Sequence, residues 1–167
     1  ISTIELKQLT YQKQTDKKLE QIFEFISEHE ESNQKVFFEG QIYDAFSLLV
    51  SLIQKAEKEI TLIDGYLDIG TLNLLAKKNT GVSVTVYTHQ NTKLTDIDLI
   101  NFNSQYPDLL VKYTNAFHDR FLILDREIAY HIGASLKDAG KKAFEVTLIN
   151  DKKITEDILQ RLILEPE

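Results

Sequence analysis

His118 and Arg120 stand two residues apart at the head of an apolar run, Phe121 to Leu124, that Asp125 closes. With the strand period of two, both project from one face, while Phe121 and Ile123 project from the other. An arginine is rarely buried without a partner, so that face must meet an acid, an anion or water. The chemistry that uses such a pair is nucleophilic attack on phosphorus. A neutral imidazole nitrogen attacks, a nearby cation offsets charge on the phosphoryl oxygens, and an acid orients the second ring nitrogen. Downstream, Gly133 offers close backbone approach, Ser135 a hydroxyl donor and Lys137 a second cation. Glu145, flanked by Phe144 and Val146, is either the orienting acid or a carboxylate facing solvent.

The other histidines read more plainly. His131, between Tyr130 and Ile132, fits a satisfied core histidine better than a pocket residue, while His29 and His89 lie in polar surroundings and read as surface. A metal site on His118 and Asp119 is disfavoured, because adjacent strand residues point to opposite faces. The chain has no cysteine, which removes disulfides, thiolate zinc and cysteine nucleophiles together. No metal and no cofactor is expected.

The elements that must position these residues follow from periodicity. Leu19, Ile22, Phe23 and Ile26 predict an amphipathic helix over 15–31. Residues 1–34 carry four lysines against seven acids and are expected to form a linker helix, apart from a domain over 35–167. In that domain "KVFFEG" reads as a strand. The next segment places Ile42, Phe46, Leu49 and Ile53 on one helical face. "EITLIDG" is a strand, "TLNLLAKKNTG" a helix stopping near Gly81, and "VSVTVYT" an alternating strand. A helix over "DIDLINFNSQY" ends before Pro107, and "LLVKYT" follows as a strand. Three more strands are expected at 120–125, 128–133 and 144–149, then a closing helix with Thr155 as its N-cap. Alternation early and consecutive strands late predict an α/β fold, a mixed β-sheet flanked by helices.

At 167 residues and 43% apolar, the chain can bury one real core. Its apolar runs are short, so no membrane span is expected, and no secretion signal is visible. The absence of cysteine fits the cytoplasm. The net charge of −7 makes the chain a poor generic polyanion binder, so phosphate chemistry needs a local basic pocket. Ile1 opens a sequence without any methionine, which suggests a piece of a longer protein.

The string His118-x-Arg120-x4-Asp125, followed by Gly133, Ala134 and Ser135 and later by an acid, resembles the signature of the phospholipase D superfamily. That family has histidine-x-lysine-x4-aspartate, then glycine, a small residue and asparagine. The resemblance covers roughly 35–165 and implies the phospholipase D-like sandwich. It makes His118 the nucleophile, Asp125 the motif acid and Glu145 the histidine-orienting glutamate of single-motif nucleases. Arg120 stands in place of lysine, Gly133 comes one residue late, and Ser135 or Lys137 must fill the place of asparagine. "KVFFEGQIYDAFSLLVSLIQKAEKEITLIDGYLD" and "YHIGASLKDAGKK" are also similar to the C-terminal part of bacterial and phage proteins with an N-terminal KilA-N-type DNA-binding domain.

The resemblance implies a metal-independent phosphodiesterase acting on nucleic acid through a phosphohistidine, or an inert module that kept the fold for binding or assembly. Arg120 and Lys137 form the expected phosphate clamp. Only one motif is present, and single-motif members of the family dimerise, so a homodimer through the motif face is expected.

Overall fold

The computed structural model describes residues 3–11, 13–15, 17 and 33–164, and of Lys137 only the backbone. The chain divides into two compact units, 1–34 and 35–167. In the first, residues 3–11, 13–15 and 17 are helical. Thr10 and Thr15 turn their hydroxyls back onto the carbonyls of Leu6 and Tyr11, four residues earlier. Leu19, Ile22, Phe23 and Ile26, expected to stripe this helix, lie outside the described residues.

The second unit is built on a seven-stranded sheet in the order β1-β7-β6-β5-β2-β3-β4. The strands are β1 (Gln34–Phe37), β2 (Glu59–Ile63), β3 (Ser83–Thr88), β4 (Leu109–Tyr113), β5 (Arg120–Leu124), β6 (Ile128–Ile132) and β7 (Phe144–Ile149). The helices are α1 (Ile42–Ile53), α2 (Ile69–Leu75), α3 (Asp96–Gln105) and α4 (Lys152–Leu164). β2, β3 and β4 run parallel, while β5, β6 and β7 add on antiparallel. The mixed α/β sandwich expected from the sequence is what forms.

Strand alternation splits the apolar residues between two cores. Leu62, Leu122, Leu124 and Ile132 pack on one face, with Leu49, Leu52 and Ile53 of α1, Leu72 and Leu75 of α2 and Phe102 of α3. Ile63, Ile123 and Ala129 point to the other face, under Ile158, Leu159 and Leu162 of α4. Each fully buried Leu or Ile is worth about 1.5–3 kcal/mol, so the first face dominates stability. β2 is buried along nearly its whole length because both faces are covered, and even the polar Thr61 is buried there.

Three local expectations shift. α1 buries Ala45, Leu49, Leu52 and Ile53, while Ile42 and Phe46 stay exposed, because the buried stripe is turned from the one periodicity suggested. α2 ends at Leu75, well before Gly81. α4 begins at Lys152, with the Asp151 carboxylate accepting the Lys153 N–H at 2.9 Å. Thr155 is therefore a buried residue inside the helix and not its cap.

Strand directions decide where function can sit. The C-terminal ends of β2, β3, β4 and β6 and the N-terminal ends of β5 and β7 share one edge of the sheet. In open α/β sheets, ligands bind in the crevice outside the carboxyl ends of the parallel strands.

Candidate active site

Asp64, the residue after β2, is fully buried at that edge. Its Oδ1 accepts the Tyr66 N–H at 3.0 Å, and its Oδ2 accepts the Leu136 N–H at 3.0 Å. The Ser135 hydroxyl lies 2.8 Å from Oδ2 and 2.8 Å from the Tyr66 carbonyl, and its single proton serves one of them at a time. Arg120, the first residue of β5, brings Nε to 3.7 Å from Oδ1. Burial pushes the Asp64 carboxyl above its ordinary range, against the pull of the Leu136 and Tyr66 N–H groups, Ser135 and Arg120. Arg120 Nε is buried without a hydrogen bond among the described residues, and the guanidinium lies 5.5 Å from the Tyr66 ring centroid. Such stacking suits arginine, whose planar cation is weakly hydrated.

Beyond Tyr66 the rim continues through His89, which follows β3. Its ring meets Tyr66 edge-on at 6.1 Å, and its Nδ1 lies 3.3 Å from Asn115 Oδ1. A Cβ on Gly65 would come within 2.2 Å of the His89 ring, so glycine is what lets the imidazole lie against the backbone. His89, read as a surface residue from its polar neighbours, is half-buried in this rim.

His118 lies in the bend that leads into β5, exposed, with no hydrogen bond or ion pair to another described residue. The strand starts at Arg120, so the shared strand face expected for His118 and Arg120 stops one pleat short. Asp119 follows, its carboxylate exposed.

Glu145 lies elsewhere than expected. It pairs with His131, not His118: Oε1 is 2.6 Å from His131 Nδ1, and Oε2 accepts the Thr147 hydroxyl. The cause is register. His131 of β6 stands opposite Thr147 of β7 and Phe121 of β5, so ring, acid and hydroxyl share the α4 face of the sheet. Phe121 meets the imidazole edge-on at 5.6 Å, and Asp119 Oδ1 lies 3.7 Å from the other ring nitrogen, Nε2. His131 is thus not a sealed core histidine; a third of its side chain is open to solvent.

Asp125 also lies away from the rest. It sits at the opposite end of β5, where its carboxylate accepts the N–H groups of Glu57, Lys58 and Glu59 at 2.7–3.2 Å. Burial opposes the charge, but these donors and the Lys58 cation outweigh it and hold the carboxyl below its ordinary range. Its backbone is left-handed, φ 53°, which Asp tolerates. Asp125 therefore clasps the entry to β2.

Gly133 extends the ladder by donating its N–H to the Glu145 carbonyl at 2.8 Å, and a Cβ there would crowd the Glu145 backbone at 3.2 Å. The side chain of Lys137 lies outside the described residues. The edge therefore gathers Arg120 and Ser135 around Asp64, with His118 at its mouth and the Glu145–His131 pair on the neighbouring strands. Asp64, Tyr66 and His89 escaped the sequence reading; "DG" after a β-branched run signalled only a turn. Among the described residues no cluster of three or more His, Asp or Glu side chains is arranged to hold a metal. A cleft of about 650 Å³ between β4 and α4 contains neither His118 nor Arg120. No described helix is long and apolar enough to cross a membrane.

No protein-family model matches the chain, and no curated protein matches it either. Solved structures do. NucT from Helicobacter pylori superposes with a TM-score of 0.57 at 14% identity, over 77% of this chain and 91% of that one. The polyphosphate kinase from Porphyromonas gingivalis does so with a TM-score of 0.53 at 13% identity, over 80% of this chain and 24% of that one. The fold shared with them is phospholipase D-like.

Proposed function

We propose that this protein is a phosphodiesterase that works through a phosphohistidine on His118, with nucleic acid as its substrate. The observation that carries this reading is the placement of His118: an exposed imidazole without a described partner, two residues before a cation, at the edge where the parallel strands end, the edge at which open α/β sheets generally bind ligands. The fold likeness supports phosphoryl chemistry more broadly, since one similar structure is by name a polyphosphate kinase. Arg120 offsets charge on the phosphoryl oxygens, held in place by Asp64 and Tyr66. Ser135 positions Asp64 rather than the substrate, and the backbone of Lys137 follows directly behind.

The neutral His118 nitrogen gives its lone pair to phosphorus, and the electrons of the breaking P–O bond leave on the departing oxygen, which takes a proton. Water then attacks phosphorus, loses a proton, and the P–N electrons return to His118. The setting follows the sequence resemblance. The domain over 35–167 stands behind a linker helix and a KilA-N-type DNA-binding domain, in a bacterial cytoplasm, and a homodimer through the motif face is one way to bring a second imidazole.

One observation favours a second reading, a binding or assembly module without catalysis. The Asp64 carboxylate already engages both Arg120 and Ser135, so two of the groups expected to meet phosphate are turned inward. The experiment that separates the two readings is cleavage of a labelled oligonucleotide and of bis(p-nitrophenyl) phosphate in excess chelator. Catalysis predicts turnover that His118→Ala abolishes without changing the far-UV spectrum or Tm. A silent wild type, or an unchanged mutant, leaves the inert module.

A further inference from the structure

We infer that the free edge of β4 is a docking site for an extended, acidic peptide, which adds to the sheet as a further strand. The inference is independent of the chemistry proposed for His118.

Backbone register builds the site. β4 is an edge strand, with β3 on one side and no described strand on the other. The Asp108 carbonyl accepts the Val84 N–H at 2.8 Å, and the Thr114 N–H reaches the Thr88 carbonyl at 2.9 Å. Asp108, Leu110, Lys112 and Thr114 therefore turn their peptide groups toward β3, and by alternation Leu109, Val111 and Tyr113 turn theirs outward. Leu109 bears this out. The Asn103 amide accepts its N–H at 2.6 Å and donates to its carbonyl at 2.9 Å, standing in for one residue of a neighbouring strand. Past that stopper, the outward N–H and C=O groups of Val111 and Tyr113 have no partner among the described residues. Such a row is what an incoming strand pairs with.

Space and charge define the occupant. The cleft of about 650 Å³ runs along this edge, lined by every residue from Leu110 to Asn115, with Leu162 and Ile163 of α4 as its far wall. Lys112 stands opposite Tyr87, a residue packed against the α4 core, and its Nζ lies 5.9 Å from that ring centroid. Leu110, two residues earlier, shares that face and is 54% exposed. The chain carries 26 acids and a net charge of −7, yet the cleft is lined by one lysine and no acid. An added strand thus places an acid over Lys112 and, two residues along, an apolar side chain against Leu110.

The same lysine disfavours a second copy of this chain as the occupant. Two β4 edges paired so that Val111 of one bonds Tyr113 of the other set Lys112 directly opposite Lys112, where like charges repel. Lysine on an edge strand is a common guard against self-pairing. The antiparallel orientation, the stabler of the two, lets the residues on either side of the acid exchange N–H···O bonds with Val111 and Tyr113.

The probe is a capped, fluorescein-labelled peptide, Thr-Val-Thr-Glu-Thr-Val-Thr, titrated with the full chain and followed by anisotropy and by backbone amide NMR. Binding should saturate, with the Val111 and Tyr113 amides shifted and protected from exchange. N-methylation of the two threonines beside the glutamate should weaken binding at least about 10-fold, since each loses a donor to the edge. Lys112→Glu should weaken it on the order of 10-fold, and should take the peptide with lysine in place of glutamate better than the wild type does. A peptide that does not bind, or binding that either change leaves untouched, overturns the inference. So does a wild-type dimer in which those two amides are already protected, or oligothymidylate shifting them where the peptide does not.

Discussion

Glu145 Oε1 lies 2.6 Å from Nδ1 of His131, on the two strands beyond the one that His118 leads into. This partnership is half-buried, with 33% of the histidine and 26% of the glutamate side chain exposed. Glu145→Ala should cost about 1–3 kcal/mol, the penalty for leaving a donor and the Thr147 hydroxyl without their acceptor. The His131 Nδ1–H proton should be visible by NMR in the wild type and exchange away in the variant. An identical spectrum and melt would show that the pair does not form in solution.

Asp64 links stability to pH. Burial raises its carboxyl above the ordinary value of 3.8 in the folded state. A raised acid favours folding most below 3.8 and loses that contribution as pH climbs through the folded value. Asp64→Asn cannot titrate. The wild type should therefore lose stability relative to Asp64→Asn as pH rises from below 4 toward neutrality, read as a shrinking Tm difference. A difference that is flat, or that grows with pH, contradicts the buried placement.

Asp125 should behave in the opposite way. Its carboxyl is held below 3.8 by three backbone donors, so its contribution is present above that value and lost as pH falls through the folded one. Asp125→Ala leaves the N–H groups of Glu57, Lys58 and Glu59 to water and should destabilise by about 1–3 kcal/mol. Because it sits at the far end of β5, turnover per folded molecule should not change. A loss of turnover with stability intact would return Asp125 to the catalytic machinery.

Gly65→Ala tests the rim. The new methyl would sit 2.2 Å from His89 Cδ2, so the imidazole must leave its place beside Asn115. The expected cost is about 1–3 kcal/mol, as for other overpacked sites, with a shifted His89 ring resonance. A variant with wild-type Tm and an unmoved His89 would show that the ring does not lie there.

The sequence by itself determined the layers and the edge. Period-two runs such as Val82 to Val86 and the consecutive late strands carry their own burial pattern, so the mixed sheet and its helices were legible from local chemistry. So was the position of Arg120 at the head of an apolar strand. What the sequence could not decide was partnership. Glu145 meets His131 because β6 and β7 pair in one register, with Thr147 opposite His131, and a register is a long-range fact with no local signal. Asp64 and Ser135 are 71 residues apart, and only the meeting of the ends of β2 and β6 brings them to 2.8 Å. Asp125 reads as part of a motif in one dimension, yet strand length carries it to the opposite edge, where backbone N–H groups claim it. Residue types announce which chemistry is available; which residues meet depends on strand order and register, and those are set only when the whole sheet closes on its two cores.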